Sequence, residues 1–120
     1  MLTVPHDETA RLAALRQYRI LDTEPERAFD DLVLLASHIC GTPIALISLV
    51  DADRQWFKAR TGIAVIQTSR AVSFCSHAIE QRGLFIVQDA REDERFRDNP
   101  LVTGGPFVRF YAGAPLLTRE

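Results

Sequence analysis

Pro43-Ile44-Ala45-Leu46-Ile47-Ser48-Leu49-Val50-Asp51, followed by Arg54-Gln55-Trp56-Phe57-Lys58, decides the fold. Ile44 to Val50 is almost continuously apolar and includes β-branched residues. It is too short for a typical helix and is bounded by Pro43 and Asp51, so it reads as a strand buried on both faces. Asp51-Ala52-Asp53-Arg54 is a turn. Gln55 to Arg60 is a second strand ended by Gly62, and the two strands predict a hairpin.

Working outward, the N-terminal side is helical. Residues 8–20 carry a thin apolar stripe, Leu12, Ala14 and Leu15, among Arg11, Arg16, Gln17 and Arg19. Such a stripe suits contact with one other helix, in the same domain or in a second subunit. Thr23-Glu24-Pro25-Glu26 has the form of a capping box, with Thr23 as cap, Glu26 bonding back and Pro25 in the first turn. Phe29, Leu32, Val33, Ala36, Ile39 and Cys40 follow at helical spacing, which places Cys40 in the core. Gly41 is the expected stop.

On the C-terminal side, Val65 to Ser73 is irregular with room for a short strand. Ser73 caps a short helix reaching about Gln81. Leu84 to Val87 is a strand, and Asp89-Ala90-Arg91-Glu92 opens a helix that stops near Arg97. Asp98-Asn99-Pro100 and Gly104-Gly105-Pro106 read as turns. Phe107 to Leu117 is the last strand, interrupted at Gly113. Helices first and hairpin-linked strands after them indicate the α+β class, an antiparallel sheet with helices packed on it.

The chain has 120 residues, 47% of them hydrophobic and 25% charged, with a net charge of -2. This is the composition of one soluble domain able to bury a core. The charge supplies no attraction to nucleic acid or an anionic membrane. Cys40 and Cys75 are no disulfide framework in a chain of this length. No apolar run reaches the roughly 18 residues of a membrane helix. The N-terminus lacks the basic flank and apolar core of a signal peptide. A cytoplasmic location is expected.

The ordered set Pro43 to Asp51, Arg54 to Lys58, Phe74-Cys75-Ser76-His77-Ala78-Ile79, Asp98 to Val102 and Arg109-Phe110-Tyr111-Ala112-Gly113-Ala114-Pro115-Leu116 resembles a GAF domain. The resemblance is to those at the front of bacterial sensor histidine kinases and diguanylate cyclases. It implies a PAS-related central antiparallel sheet, with the N-terminal helices on one face and a loop-covered pocket on the other. It also implies a sensory or regulatory module that binds a small molecule, forms a homodimer, or does both, and controls an output domain. The cofactor is left unspecified. In relatives, a segment like Tyr111 to Leu117 is followed by one more strand, placed mid-sheet beside the counterpart of Ile44 to Val50. The chain stops at Arg119-Glu120. The expectation is therefore a single domain over residues 1–120, truncated before its last strand, with rearrangement or a partner chain closing the gap.

The residues support binding rather than catalysis. Cys75 and His77, two apart on a helix, point about 200° away from each other and make no nucleophile–base pair. Bilin-attaching relatives place His directly after Cys, whereas Ser76 intervenes here. Relatives that reduce methionine sulfoxide use several cysteines in set positions, an arrangement Cys40 and Cys75 do not supply. His6, His38 and His77 lack metal-ligand spacing. The candidate ligand-binding residues are Trp56, Phe74, Cys75, His77, Arg109 and Tyr111. Aromatic walls with a few polar groups are the usual makings of a pocket. No catalytic or metal-ligating residue is assigned.

Overall fold

The computed structural model describes residues 7–116. His6 and Leu117, the expected end of the last strand, lie outside them. The chain divides into two compact units, residues 1–68 and 69–120.

In the first unit, α1 spans Glu8–Gln17 and α2 spans Arg27–Cys40. The strands are β1, Ala45–Val50, β2, Arg54–Thr61, and β3, Gln67–Ser69, whose last residue falls past the boundary. They form an antiparallel hairpin, β1 with β2, extended by β3 in the order β1-β2-β3. The predicted hairpin is therefore present. Its detail is not a plain ladder. Ile47 faces Ala59 and Ser48 faces Phe57, so Lys58 is an extra residue on β2. Such a bulge re-aims a side chain. Gln55, Trp56, Phe57, Lys58 and Ala59 are all buried, where a strand with one solvated face would alternate.

The re-aimed lysine explains why the capping box does not form. The Lys58 side chain is fully buried and its ammonium pairs with Glu26 Oε2 at 2.8 Å. It also donates to Thr23 Oγ1 at 2.7 Å and to the Glu24 carbonyl at 2.6 Å. The Phe29 ring centroid lies 5.7 Å away. Thr23 and Glu26 thus serve a buried cation, and α2 starts at Arg27 with no side-chain cap. A buried charge requires such partners, whereas a helix end can be satisfied by water.

Gly41 ends α2 in the left-handed conformation, as expected. The buried line of α2 differs from the predicted stripe. Phe29, Val33 and Ser37 turn inward, and Ser37 Oγ donates to the Thr42 carbonyl at 2.5 Å. Leu32, Ile39 and Cys40 are exposed, so Cys40 is not a core thiol. Lys58 holds the residues just before α2, and the Ser37–Thr42 bond lies at its end, so the inward 29–33–37 line is anchored at both ends. On α1, Leu12 and Leu15 are half-buried.

In the second unit, α3 is a single turn, Cys75–Ala78, shorter than the stretch to Gln81 that was predicted. Ser73 still works as the expected local cap, its Oγ accepting from the Ser76 amide at 3.1 Å. β4, Phe85–Val87, pairs antiparallel with β5, Tyr111–Gly113. The last strand is shorter than expected, because residues 107–110 are spent differently. Phe107 takes φ 61°, and the Val108 amide bonds to the Leu101 carbonyl rather than to a ladder. Asp89 caps only a 3-10 turn, Ala90–Glu92. Asn99-Pro100 opens a short helix, α4, Pro100–Thr103, instead of a turn. Asn99 Oδ1 accepts from the Leu101 amide, and Pro100 sits where a missing N–H costs nothing. The core joins Phe74, Ala78, Phe85, Val87, Ala90, Phe96 and Val102.

Gly62 is required where β2 ends. Its φ is +80°, and a Cβ there would stand 1.9 Å from the Pro43 carbonyl oxygen. Gly41, at φ +64°, faces open space. Gly62→Ala is expected to destabilise the fold by at least about 2 kcal/mol, and Gly41→Ala by only about 1 kcal/mol. Urea unfolding midpoints of the two variants check the order.

Candidate functional site

The predicted site residues divide between the units. Trp56 is buried on β2 of the first unit, opposite Leu49. Phe74, Cys75, His77, Arg109 and Tyr111 belong to the second unit, and four of them meet there. The Phe74 ring stacks on Phe96, centroids 4.1 Å apart and planes 7° apart, and sits 5.2 Å from Tyr111. The His77 and Phe96 rings meet in a T-shaped arrangement with centroids 4.9 Å apart, and His77 lies 6.4 Å from Phe85. The α3 turn thus projects Cys75 and His77 toward different neighbours, as their spacing requires.

The polar point of the cluster is the thiol. Tyr111 Oη donates to Cys75 Sγ at 3.2 Å. Burial first, and then the neighbouring sulfur, push the Tyr111 hydroxyl well above its ordinary range, so it stays protonated and available as a donor. Gly113 makes this contact feasible. A Cβ at Gly113 would stand 2.3 Å from the Tyr111 hydroxyl oxygen. The interruption noted at Gly113 in the sequence is therefore the opening through which the phenol passes. Cys75 itself is half-buried.

Arg109 lies in the second unit but its guanidinium is committed to backbone. Nη1 donates to the carbonyls of Val102 at 3.0 Å and Val108 at 3.1 Å. It secures the segment after α4. Its neighbour Phe110 is exposed.

Sequence reasoning missed Phe85, Phe96 and Arg95. Phe96 is a fully buried ring, 1% exposed, and joins Phe74, His77 and Phe85. The available signal was a lone aromatic inside the charged run from Arg91 to Asp98. Arg95 lies 5.0 Å from the Phe85 centroid and 5.3 Å from that of Phe96. Asp93 holds it there through a 2.7 Å ion pair. The Arg95 hydrogen bond brings Asp93 down to about 2, against partial desolvation.

In the first unit, a cleft of about 340 Å³ opens beside Pro25, Asp30, Lys58, Arg60 and Ile63. Because the Lys58 ammonium is already held by Thr23, Glu24 and Glu26, the lysine is a structural wall of this cleft. Among the described residues, no cluster of three or more His, Cys, Asp or Glu could hold a metal ion. None of their helices is long and apolar enough to cross a membrane.

Two predictions follow from this geometry. In a Cys40→Ser background, Tyr111→Phe and Gly113→Ala each remove or displace the hydrogen bond that Tyr111 gives to Cys75, so the thiol is less restrained and is expected to be alkylated faster at a fixed pH. The alkylation rate of each variant against the Cys40→Ser parent reads the effect. The second concerns Asp93, whose folded pKa is depressed below the ordinary 3.8. Its stabilising pair is complete above that value and is lost as pH falls from 3.8 toward about 2. Hydrogen exchange of residues 93–96 is expected to be flat from neutral pH down to that window, after correction for intrinsic rates, and to rise within it.

Comparison with known proteins agrees with the architecture. The family profile of the GAF domain matches residues 24–120. A cyclic di-GMP phosphodiesterase of Pseudomonas aeruginosa is 48% identical over 116 residues, which cover 97% of this chain and 20% of that protein. The chain thus spans about a fifth of the length of the curated relative it matches.

Proposed function

Because the chain belongs to the GAF domain family, we propose that it is the sensory domain of a bacterial cyclic-dinucleotide signalling protein. It binds a small molecule at the aromatic cluster of the second unit and controls an output domain. The carrying observation is the half-buried Cys75–Tyr111 pair set among Phe74, Phe85, Phe96 and His77. Half-buried Cys75, His77 and Tyr111 bring a few directed polar groups to the edge of a ring-rich core, which suits a planar or aromatic ligand. Phe74 and Phe96 form the floor, His77 and Tyr111 orient the ligand, and Cys75 supplies a soft, polarisable contact. The domain itself carries out no reaction and acts in the cytoplasm. The signalling class rests on the relative's name, and the placement of output elsewhere rests on the small share of that relative covered.

A second reading is favoured by the tight Phe74–Phe96 stack, which fills part of the cluster with the protein's own rings. In that reading the domain is a ligand-free homodimeric relay, with α1 contributing Leu12 and Leu15 to the contact. Leu15→Glu then halves the mass in solution, as measured by light scattering.

Native mass spectrometry of gently purified protein tests the leading reading. The expected result is a non-covalent small-molecule mass that is lost on denaturation and absent from Phe74→Ala. Bare polypeptide in the unmodified protein contradicts it.

A further inference from the structure

The first unit holds α1 by polar contacts more than by apolar burial. No α1 residue is fully buried, and Leu12, Leu15 and Ile20 are only half-covered. The contacts to the hairpin are cationic. Arg11 Nη1 donates to the Val50 carbonyl at 2.5 Å while its other nitrogens hold Glu8. Arg16 lies 3.9 Å from Asp51. Arg54 of β2 grips Asp22 with two bonds, 2.8 and 2.7 Å, and also reaches Asp51 at 3.2 Å and Gln67 at 2.9 Å. Asp22 and Arg19 both adopt positive φ, 61° and 51°, a conformation uncommon for side-chain-bearing residues. The segment between α1 and α2 is thus bent into place and held there by Arg54.

Four residues farther along β2, Lys58 binds Thr23, Glu24 and Glu26 from a fully buried position. The two cations differ in exposure and in partners. The Arg54 side chain is 24% open to solvent and its partner Asp22 63%, whereas the Lys58 side chain is 0% open and also bonds two neutral oxygens, those of Thr23 and Glu24. Salt weakens exposed pairs and leaves buried ones largely intact.

We propose that residues 8–22 form a latched arm that swings away from the β1–β2 hairpin as a unit, with Arg54 and Asp51 as its latch and the Lys58-bound segment Thr23–Glu26 as its hinge. The device is a conformational switch within the first unit, independent of which ligand, if any, the second unit takes. Acidic and basic groups face the latch from each element: Glu8, Arg11 and Arg16 from α1, Asp22 from the connector, Asp51 and Arg54 from the hairpin. Opening exchanges their mutual contacts for water and ions, and no core side chain of β1 or β2 need leave its place.

Hydrogen exchange mass spectrometry of the 120-residue chain at low and high salt tests this. About 1 M sodium chloride is expected to raise exchange in residues 8–22 by roughly tenfold, while α2, β1 and β2 change by less than about twofold. Arg54→Ala and the surface variant Asp22→Asn should produce the same opening at low salt. Glu26→Gln should instead raise exchange at the start of α2, marking the hinge. Exchange in residues 8–22 that ignores salt and Asp22→Asn overturns the proposal. So does a rise shared equally by the arm and the hairpin. If Arg54→Ala does not fold, the salt series and Asp22→Asn decide the matter.

Discussion

A primary amine with no solvent exposure must find its hydrogen-bond acceptors inside the protein, and the first unit is organised around that constraint at Lys58. The bulge between the Ile47–Ala59 and Ser48–Phe57 pairs brings the lysine inward. The acceptors come from Thr23, Glu24 and Glu26, more than thirty residues earlier in the chain. The entry to α2 is thereby fixed against the middle of β2. The neighbouring hydrogen bonds follow the same economy: Gln55, also buried, is satisfied by Ser48 and Thr68 at 3.0 Å each. Both polar side chains that the bulged strand buries, Gln55 and Lys58, find hydrogen-bond partners within the first unit.

The second unit solves a different problem with few regular hydrogen bonds. Its strands are short, and its helical pieces are single turns. Order comes from ring packing centred on Phe96 and from side chains that bind backbone. Asn99 links α4 to the Val72 carbonyl at 3.1 Å, and Arg109 holds the carbonyls of Val102 and Val108. The result is a core of rings with a thiol and a phenol paired at one point. The chain as a whole belongs to the GAF domain family.

The sequence made the hairpin legible because an apolar run, a turn and a glycine stop are all local signals. Gly41 was legible for the same reason. Thr23 and Glu26 misled because the residue that uses them lies far away along the chain, and a capping box cannot be distinguished locally from a lysine's acceptor set. The bulge was hidden because Trp56, Lys58 and Arg60 alternate plausibly with Phe57 and Ala59 until the register slips. Around the site, the Phe74-Cys75-Ser76-His77 segment announced itself by its residue types. Phe96 did not, since the charges flanking it mask a position that only tertiary packing makes central. The partners that Arg109 finds in the Val102 and Val108 carbonyls are ones that no side-chain pattern encodes.

The most direct test of this account is a double-mutant cycle on Lys58 and Thr23, read by denaturant unfolding. Lys58→Met, Thr23→Val and the pair together isolate the coupling across 35 residues of sequence. If the buried ammonium organises the unit, the coupling is on the order of 1–3 kcal/mol. Additive effects within about 0.3 kcal/mol would contradict the account, because the entry to α2 would then not depend on the bulged lysine.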